Sequence, residues 1–262
     1  MIVITVHSLE VKNTMEQNNI ELLKLMKLPV MADEYESQSK NIRYQEMSFD
    51  ERLSILLNKE YDSRILHTIQ KNIKQARFSI SNADFNDLNK SSDRKLPIDL
   101  IEALKSNDYI RNGLSVIIIG AAGVGKTWLS CAYGSLACKE RFKTKYIRLP
   151  ELLSDLEATR IKNNYRQTIL KYGKIDLLII DDFLLNSVNT IEANDVLEIL
   201  EIRANKKSTI FGEYARKAPE GWHERLGGGP VADAILDRIT NSSYTIFLQG
   251  KSLRETYSRV KQ

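Results

Sequence analysis

The feature that most constrains this chain is an uninterrupted Gly-x4-Gly-Lys-Thr run at residues 120–127. It follows four consecutive β-branched apolar residues, 116–119, and opens a stretch with helical character. A strand that passes through a glycine-rich turn into a helix is the context in which this motif forms a phosphate-binding loop. Glycines permit positive φ angles, so backbone N–H groups approach a phosphate, and the helix N-terminus adds partial positive charge. A plain glycine-rich turn is the alternative, which these flanks disfavour.

The residues of this run have separate expected roles. Lys126 supplies a point charge for the phosphates, and Thr127 supplies a hydroxyl ligand for Mg²⁺. The motif therefore predicts ATP and Mg²⁺ as ligands. The expected nucleotide contacts are Gly120, Ala121, Ala122, Gly123, Val124, Gly125, Lys126, Thr127 and Trp128.

A second motif, Leu-Leu-Ile-Ile-Asp-Asp, occupies residues 177–182. Its apolar residues predict a buried strand, and its two carboxylates lie at the C-terminal end, where open α/β sheets bind ligands. Asp181 would hold the Mg²⁺ hydration shell, and Asp182 would orient or deprotonate the attacking water. Two turn-forming acids that merely end a strand are the alternative. Because most ATPases of this plan use the longer glutamate at the second position, we expect slow or partner-stimulated turnover.

Alternating β and α patterns predict a parallel sheet with crossover helices, forming one three-layer α/β domain. The expected strands are 115–120, 144–148, 176–181, 208–212 and 244–248. The expected helices are 126–140, 151–171 with a break near Asn163 and Asn164, 190–205 and 230–241.

The first hundred residues show helical patterns instead. One pattern in 16–31 stops near Pro29, and after a polar stretch Ser48 and Glu51 form a capping-box signature. A stripe on the helix that follows steps by four through Leu53, Leu57, Tyr61, Ile65, Ile69 and Ile73. The predicted organisation is a leader at 1–15 (an edge strand or disordered), a helical DNA- or partner-binding domain at 16–77, a linker at 78–96 and the α/β domain at 97–262.

Composition narrows the function classes only slightly. A net charge of +4 permits binding to a polyanion without requiring it. No run approaches the roughly 18 apolar residues of a membrane span. Cys131 and Cys138 lie on one predicted helix, about 10 Å apart, which is too far for a disulfide. These features predict reduced thiols and a cytoplasmic protein without membrane contact.

Together the motifs resemble the IstB-type transposition helper ATPases, close relatives of the DnaC helicase loaders in the initiator clade of AAA+ proteins. The most specific segments are Trp-His-Glu at 222–224 and Ala-Asp-Ala-Ile-Leu-Asp-Arg at 232–238. Segments 22–28 and 49–53 resemble the helical domain of that family. The resemblance covers about 16–255 and implies a P-loop AAA+ domain with a five-stranded parallel sheet, preceded by a small all-helical domain.

The resemblance also implies roles for individual cations. Arg238 would reach the γ-phosphate of a neighbouring subunit; a surface pair with Asp237 is the alternative. Arg254 could act as a second sensor. The stretch 151–171 matches an insertion of the initiator clade that can meet DNA, although a solvated helix face is the alternative. The expected DNA contacts there are Arg160, Lys162 and Arg166. Two more, Lys71 and Lys74, are expected from the basic flank of the N-terminal helix, where simply solvated charge is the alternative.

One segment departs from the family pattern. The fourth strand of the family usually ends in a Ser-Gln or Ser-Asn pair that senses the γ-phosphate. Here Gly212 and Glu213 follow the strand, and the segment looks about two residues longer than the family form. Glu213 near a triphosphate would be repulsive unless Mg²⁺ or Arg216 compensates, so we expect altered nucleotide sensing or activity.

The function implied by the resemblance is that of a DNA-binding ATPase, which forms an ATP-dependent homo-oligomer on duplex DNA and assists the transposase of an insertion sequence. A loader of a replicative helicase is the first alternative. A small-molecule P-loop kinase lacks support from any Arg-rich lid. The altered fourth strand motivates a last alternative, an interaction module that binds nucleotide with little turnover.

Overall fold

The computed structural model describes residues 2–88, 95–213 and 221–253, with side chains from residue 14 onward. The chain divides into two compact units, Met1–Gln70 and Lys71–Gln262. The first unit is all-helical, as predicted. It contains α1 (Ile2–Leu25), α2 (Pro29–Lys40) and most of α3 (Phe49–Ala76).

In the first unit, the edge-strand alternative for the opening residues is wrong, and so is the polar stretch expected after Pro29. The opening residues form the start of α1 and not an edge strand, since no glycine or proline interrupts the chain before Pro29. Pro29 opens a further helix, α2, in a region that the sequence pattern left as a polar stretch. The buried positions of α2 include the polar Glu34 and Gln38, so the helix has little apolar periodicity to reveal it. Glu34 accepts hydrogen bonds from Tyr44 and Lys59.

Helix α3 begins with the predicted capping box. The Ser48 backbone N–H donates to Glu51 Oε2 at 2.7 Å, and the Glu51 backbone N–H donates to Ser48 Oγ at 3.3 Å. The predicted apolar stripe is only partly correct, because Leu57 and Tyr61 are more than half exposed. Each step of four residues overshoots a 3.6-residue turn by about 40°, so a stripe of six such residues winds around the helix.

The second unit is a five-stranded parallel sheet with helices on both faces, as predicted. The strands are β1 (Ser115–Gly120), β2 (Thr144–Arg148), β3 (Leu177–Asp181), β4 (Ser208–Glu213) and β5 (Ser243–Leu248). The helices are α4 (Ile98–Ala103), α5 (Asp108–Arg111), α6 (Lys126–Lys139), α7 (Leu149–Ile161), α8 (Tyr165–Gly173), α9 (Thr190–Arg203), α10 (Trp222–Arg225) and α11 (Gly229–Thr240).

The strand order is β2-β3-β4-β1-β5, and every pair is parallel. Strand β4 therefore lies between the strand that enters the phosphate loop and the strand that ends in the two aspartates. The break predicted near Asn163 and Asn164 separates α7 from α8, and Asn163 has a φ of +56°.

Two cores fill the layers on either side of the sheet. Leu178 and Ile180 of β3 pack with α7, α8, α9 and α11, whereas Leu177 and Ile179 pack on the α6 side. The described part of the expected linker, 78–88, belongs to the α6-side core, because Phe78, Ile80, Phe85 and Leu88 pack against it and Ala83 is buried. Within the part of the chain that the structure describes, no helix is long and apolar enough to cross a membrane.

Candidate nucleotide-binding site

The candidate site is a cavity of about 1030 Å³ at the carboxyl edge of the sheet. Its polar wall contains many of the residues predicted from the two motifs: Ala122, Gly123, Gly125, Lys126, Thr127, Trp128, Asp181 and Asp182. Its apolar wall includes Ile80, Leu88, Leu96 and Leu248. The remaining predicted loop residues do not line the cavity; Gly120 and Val124 are buried behind the loop. Charged groups at one end and apolar groups at the other suit a nucleotide.

The phosphate loop has the backbone geometry that its glycines allow. Gly123 and Gly125 adopt φ angles of +76° and +100°, in the region that favours glycine. Lys126 Nζ donates to the carbonyl oxygens of Gly120 and Ala121, at 2.8 Å each. The lysine ammonium is therefore held over the loop at the start of α6.

The segment after β5 holds the loop from the other side. The backbone N–H of Leu253 donates to the Gly123 carbonyl oxygen at 2.9 Å. A Cβ atom on Gly123 would lie 2.2 Å from Ser252 Oγ, so only glycine allows this approach. Arg254, predicted as a second sensor, lies outside the described residues.

The predicted metal-binding pair is assembled across two elements. Thr127 Oγ1 of α6 donates to Asp181 Oδ2 of β3 at 2.7 Å. Tyr146 of β2 donates its hydroxyl to the same oxygen at 2.8 Å. The sequence did not predict a role for Tyr146. The one indication in the sequence is that a residue with a hydroxyl group lies in an otherwise alternating strand. Its contact with Asp181 depends on strand register, in which Tyr146 pairs with Ile179. Burial and the nearby Asp181 raise the pKa of Tyr146, so it stays a neutral donor.

Asp182 lies at the cavity in an uncommon backbone conformation. Its φ angle is +51°, and Leu184 also has a positive φ of +53°. Left-handed non-glycine residues often mark functional sites, where the surrounding structure holds them in place. Here the next residue, Phe183, is buried and donates its backbone N–H to the Gly212 carbonyl oxygen at 2.9 Å. The chain therefore leaves β3 still bonded to β4.

Arg238 lies apart from the nucleotide cavity of its own chain. Its guanidinium donates to the Ala234 carbonyl oxygen and to Glu201 Oε1 of α9, at 2.9 Å each. The surface pair with Asp237 is absent from the hydrogen bonds of the described residues, and Asp237 bonds to Asn241 instead. A role for Arg238 in phosphate contact would therefore need a neighbouring subunit.

The predicted DNA contacts differ in their surroundings. Arg160 forms a 2.5 Å ion pair with the buried Asp195 and lies over the Tyr165 ring, so it holds α7 to neighbouring helices. The other four cations are exposed and have no ion-pair partner among the residues whose side chains are described: Lys71, Lys74, Lys162 and Arg166.

A further basic cluster was not predicted. The pKa of Lys145 on the edge strand β2 is lowered, mainly by burial and then by the like charges of Arg77 and Lys171. None of these three cations forms an ion pair within the described part of the chain, although Asp155 and Glu151 offset part of the effect on the pKa of Lys145. The sequence could not predict this cluster, because its three cations come from separate segments of the chain.

Comparison with known proteins identifies the family. Residues 21–260 match the family described as IstB-like ATP binding protein. The chain belongs to the IstB-like ATP-binding protein family. This IstB-like chain is 33% identical over 240 residues to an insertion sequence ATP-binding protein of Sinorhizobium fredii, covering 92% of this chain and 97% of that protein. It is 34% identical over 197 residues to the ATP-binding protein of insertion sequence IS1162 of Pseudomonas fluorescens, covering 75% and 85%.

Solved structures show the same fold for this IstB-like protein. The DnaC helicase loader aligns with a TM-score of 0.52 and 18% identity, covering 64% of this chain and 97% of that chain. AMPPCP-bound DnaA from Aquifex aeolicus aligns with a TM-score of 0.53 and 19% identity, covering 71% and 58%. The fold is therefore the α/β P-loop fold of AAA+ proteins, as predicted.

Proposed function

We propose that this IstB-like protein hydrolyses ATP with Mg²⁺ while assembled as a homo-oligomer on duplex DNA, in support of a transposase in the cytoplasm. The observation that carries the hydrolytic part is the placement of Lys126, Thr127, Asp181 and Asp182 on one cavity. The relatives are ATP-binding proteins of insertion sequences, which supports a role in transposition.

The metal site is proposed from the chemistry of its oxygen atoms. Thr127 Oγ1 and Asp181 Oδ2 lie 2.7 Å apart beside the phosphate loop, and Mg²⁺ prefers such hard oxygen ligands. Bound Mg²⁺ would neutralise charge on the β- and γ-phosphates. Asp182, on the next residue, would accept a proton from the attacking water.

The first experiment separates binding from turnover. Lys126→Ala should weaken ATP binding by about 100-fold, because it removes charge-assisted contacts to phosphate worth roughly 3 kcal/mol. Asp182→Asn should bind ATP and release no phosphate. Lys139→Ala, at the other end of α6 and paired with Asp84 at 2.8 Å, is the matched control. Equal ATP affinity in Lys126→Ala and in the control would refute the phosphate-loop assignment.

DNA binding is proposed from cations that form no ion pair among the described residues. Lys162, directly after α7, and Arg166, in the first turn of α8, are exposed. Arg77 and Lys171 lie near Lys145 of β2. Each phosphate contact adds a slope of about −0.9 to the plot of log affinity against log salt. Lys145→Gln should therefore reduce that slope by about one for duplex DNA, and Lys139→Gln should leave it unchanged. Affinity that is flat from low to high salt would contradict contact through phosphates.

Trans action of Arg238 can be tested by mixing two inactive variants. Arg238→Ala keeps its own Asp182 but offers no arginine to a neighbour, whereas Asp182→Asn keeps the arginine but has an inactive site. If the arginine acts between subunits, the mixture regains ATPase activity on DNA, because one variant completes the site of the other. A mixture as inactive as its components would reject the trans role.

The partner is tested by stimulation. We expect the transposase from the same insertion sequence to raise the ATPase rate on DNA, and a replicative helicase to leave it unchanged. Stimulation by the helicase alone would assign the protein as a loader. Tight ATP binding without turnover under every condition would leave a nucleotide-binding interaction module.

A further inference from the structure

Glu213, the last residue of β4, carries a fully buried carboxyl group. It is 0% exposed, and neither of its carboxyl oxygens has a hydrogen-bond partner among the residues that the structure describes. The indole N–H of Trp222 is also buried without a hydrogen-bond partner in this part of the chain, yet it lies near enough to Glu213 to favour the charged carboxylate. An isolated carboxylate is strongly disfavoured away from water, so such a group holds its proton to an unusually high pH.

The position of Glu213 in the sheet links it to the phosphate loop. Strand β4 lies between β1 and β3, and Glu213 pairs with Ile119, directly before the loop. Its neighbour Gly212 faces Asp181, since a Cβ atom there would lie 2.3 Å from Asp181 Oδ1. Side chains alternate along a strand, so the Glu213 carboxyl points to the opposite face, away from the Thr127–Asp181 pair.

The groups around this carboxyl determine its proton affinity. Burial is the largest influence and raises the pKa of Glu213 to about 7, while Trp222 and Arg225 from α10 and Lys126 from α6 lower it. On the neighbouring strand β3 the further acid is Asp181, which lies against Gly212 on the opposite face of the sheet. The carboxyl is therefore balanced between its two protonation states near neutral pH. Among the described residues, the cations that favour its charged form are Arg225 and, to a smaller extent, Lys126.

A bound nucleoside triphosphate would remove the stabilisation that Lys126 gives to the charged form of Glu213. Its phosphates bring several negative charges to Lys126 and so cancel the attraction that this cation exerts on the Glu213 carboxylate. Bound Mg²⁺ offsets only part of the added charge. We propose that Glu213 is a positioning residue of the nucleotide site that takes up one proton from solvent when a nucleoside triphosphate binds. This inference rests on the proposed nucleotide site.

The proposed linkage has a directional consequence. If binding takes up a proton, affinity falls as pH rises, by at most tenfold per pH unit for one proton. A nucleoside diphosphate brings less negative charge to Lys126, so its binding should take up a smaller fraction of a proton. The neutral carboxyl adds no charge beside the phosphates, so β4 and α10 keep their packing when the site is filled.

The test is calorimetry of the intact chain with Mg²⁺ and β,γ-methylene ATP, which prevents turnover. Titrations at pH 7.5 in buffers of different ionisation enthalpy give the number of protons taken up. Glu213→Gln is the control for protons that belong to the nucleotide. We expect the wild-type protein to take up more protons than Glu213→Gln, and affinity of the variant to depend less on pH. Equal uptake and equal pH dependence would overturn the proposal.

A second variant keeps the proposal testable if Glu213→Gln does not fold. Trp222→Phe removes the indole N–H that favours the carboxylate, which raises the pKa of Glu213 in the free protein. The extra proton uptake should therefore move to higher pH and become smaller at pH 7.5, because more of the free protein is already protonated there. Uptake unchanged in Trp222→Phe would overturn the proposal. Failure of the wild-type chain to bind the analogue at all would refute the proposed nucleotide site itself, which is a distinct outcome.

Discussion

The substitution Gly212→Ala tests whether the position of one carboxylate decides metal-dependent nucleotide binding. The added methyl would lie 2.3 Å from Asp181 Oδ1 and 3.3 Å from Asp181 Cγ. The φ angle of Gly212 is not positive, so alanine meets no backbone strain and the effect is steric. The carboxylate must therefore move by about 1 Å to reach an ordinary van der Waals distance.

The size of the effect follows from what holds the carboxylate. Asp181 Oδ2 accepts hydrogen bonds from Thr127 at 2.7 Å and Tyr146 at 2.8 Å. Each hydrogen bond to a charged group contributes about 1.5–3 kcal/mol. Losing one of them, with the metal-binding oxygen displaced, should weaken Mg²⁺-dependent binding of an ATP analogue by about 10- to 100-fold.

The assay compares alanine substitutions at two glycines where an added methyl group would meet a close neighbour. Gly134→Ala places a methyl 2.4 Å from Phe78 in the core, away from the site. Both variants should lose stability in urea unfolding, but only Gly212→Ala should lose Mg²⁺-dependent affinity in calorimetric titrations. If folded Gly212→Ala binds the Mg²⁺ complex as tightly as Gly134→Ala does, Asp181 does not act as the metal-associated carboxylate.

Three further predictions concern stability, measured by urea unfolding. Because the folded-state pKa of Glu213 is raised from 4.5 to about 7, the free energy of unfolding should fall by roughly 3 kcal/mol as pH rises through this window, and Glu213→Gln should remove that fall; equal pH profiles would contradict it. Arg203→Lys should cost about 3 kcal/mol, since the buried guanidinium donates to four acceptors and an ammonium cannot reach them all; a loss under 1 kcal/mol would argue otherwise. Asn189→Ala should cost about 1 kcal/mol by removing a capping box with Glu192, and an unchanged midpoint would refute this.

The sheet could be predicted from sequence because its signals are local. Runs such as 116–119 and 177–180 are apolar and β-branched or leucine-rich, and each is followed by the residue at which its strand ends, Gly120 or Asp181. All five predicted strands match the structure to within about one residue at each end. The phosphate loop is local in the same sense, since eight consecutive residues contain both its backbone freedom and its charge.

The features that could not be predicted depend on contacts between distant segments. Helix α2 buries polar side chains against partners from other helices, so no apolar period marks it. Tyr146 reaches Asp181 only through the pairing of β2 with β3. The groups that act on the pKa of Glu213 include Trp222 and Arg225 of α10. The partner of Arg238 is Glu201 on another helix. A single sequence shows residue types but not which of them meet.

The bond from Leu253 to Gly123 has a consequence for control of the site. It joins the chain beyond the last strand to the middle of the phosphate loop at 2.9 Å. Two binding sites that are coupled through a shared element change each other's affinity by the same factor. A molecule that binds at Leu253 and shifts it therefore changes the affinity for nucleotide, and bound nucleotide changes the affinity for that molecule equally. The segment that ends at Leu253 therefore couples the phosphate loop to any macromolecule that binds this segment. The affinity of that macromolecule then depends on whether nucleotide is bound.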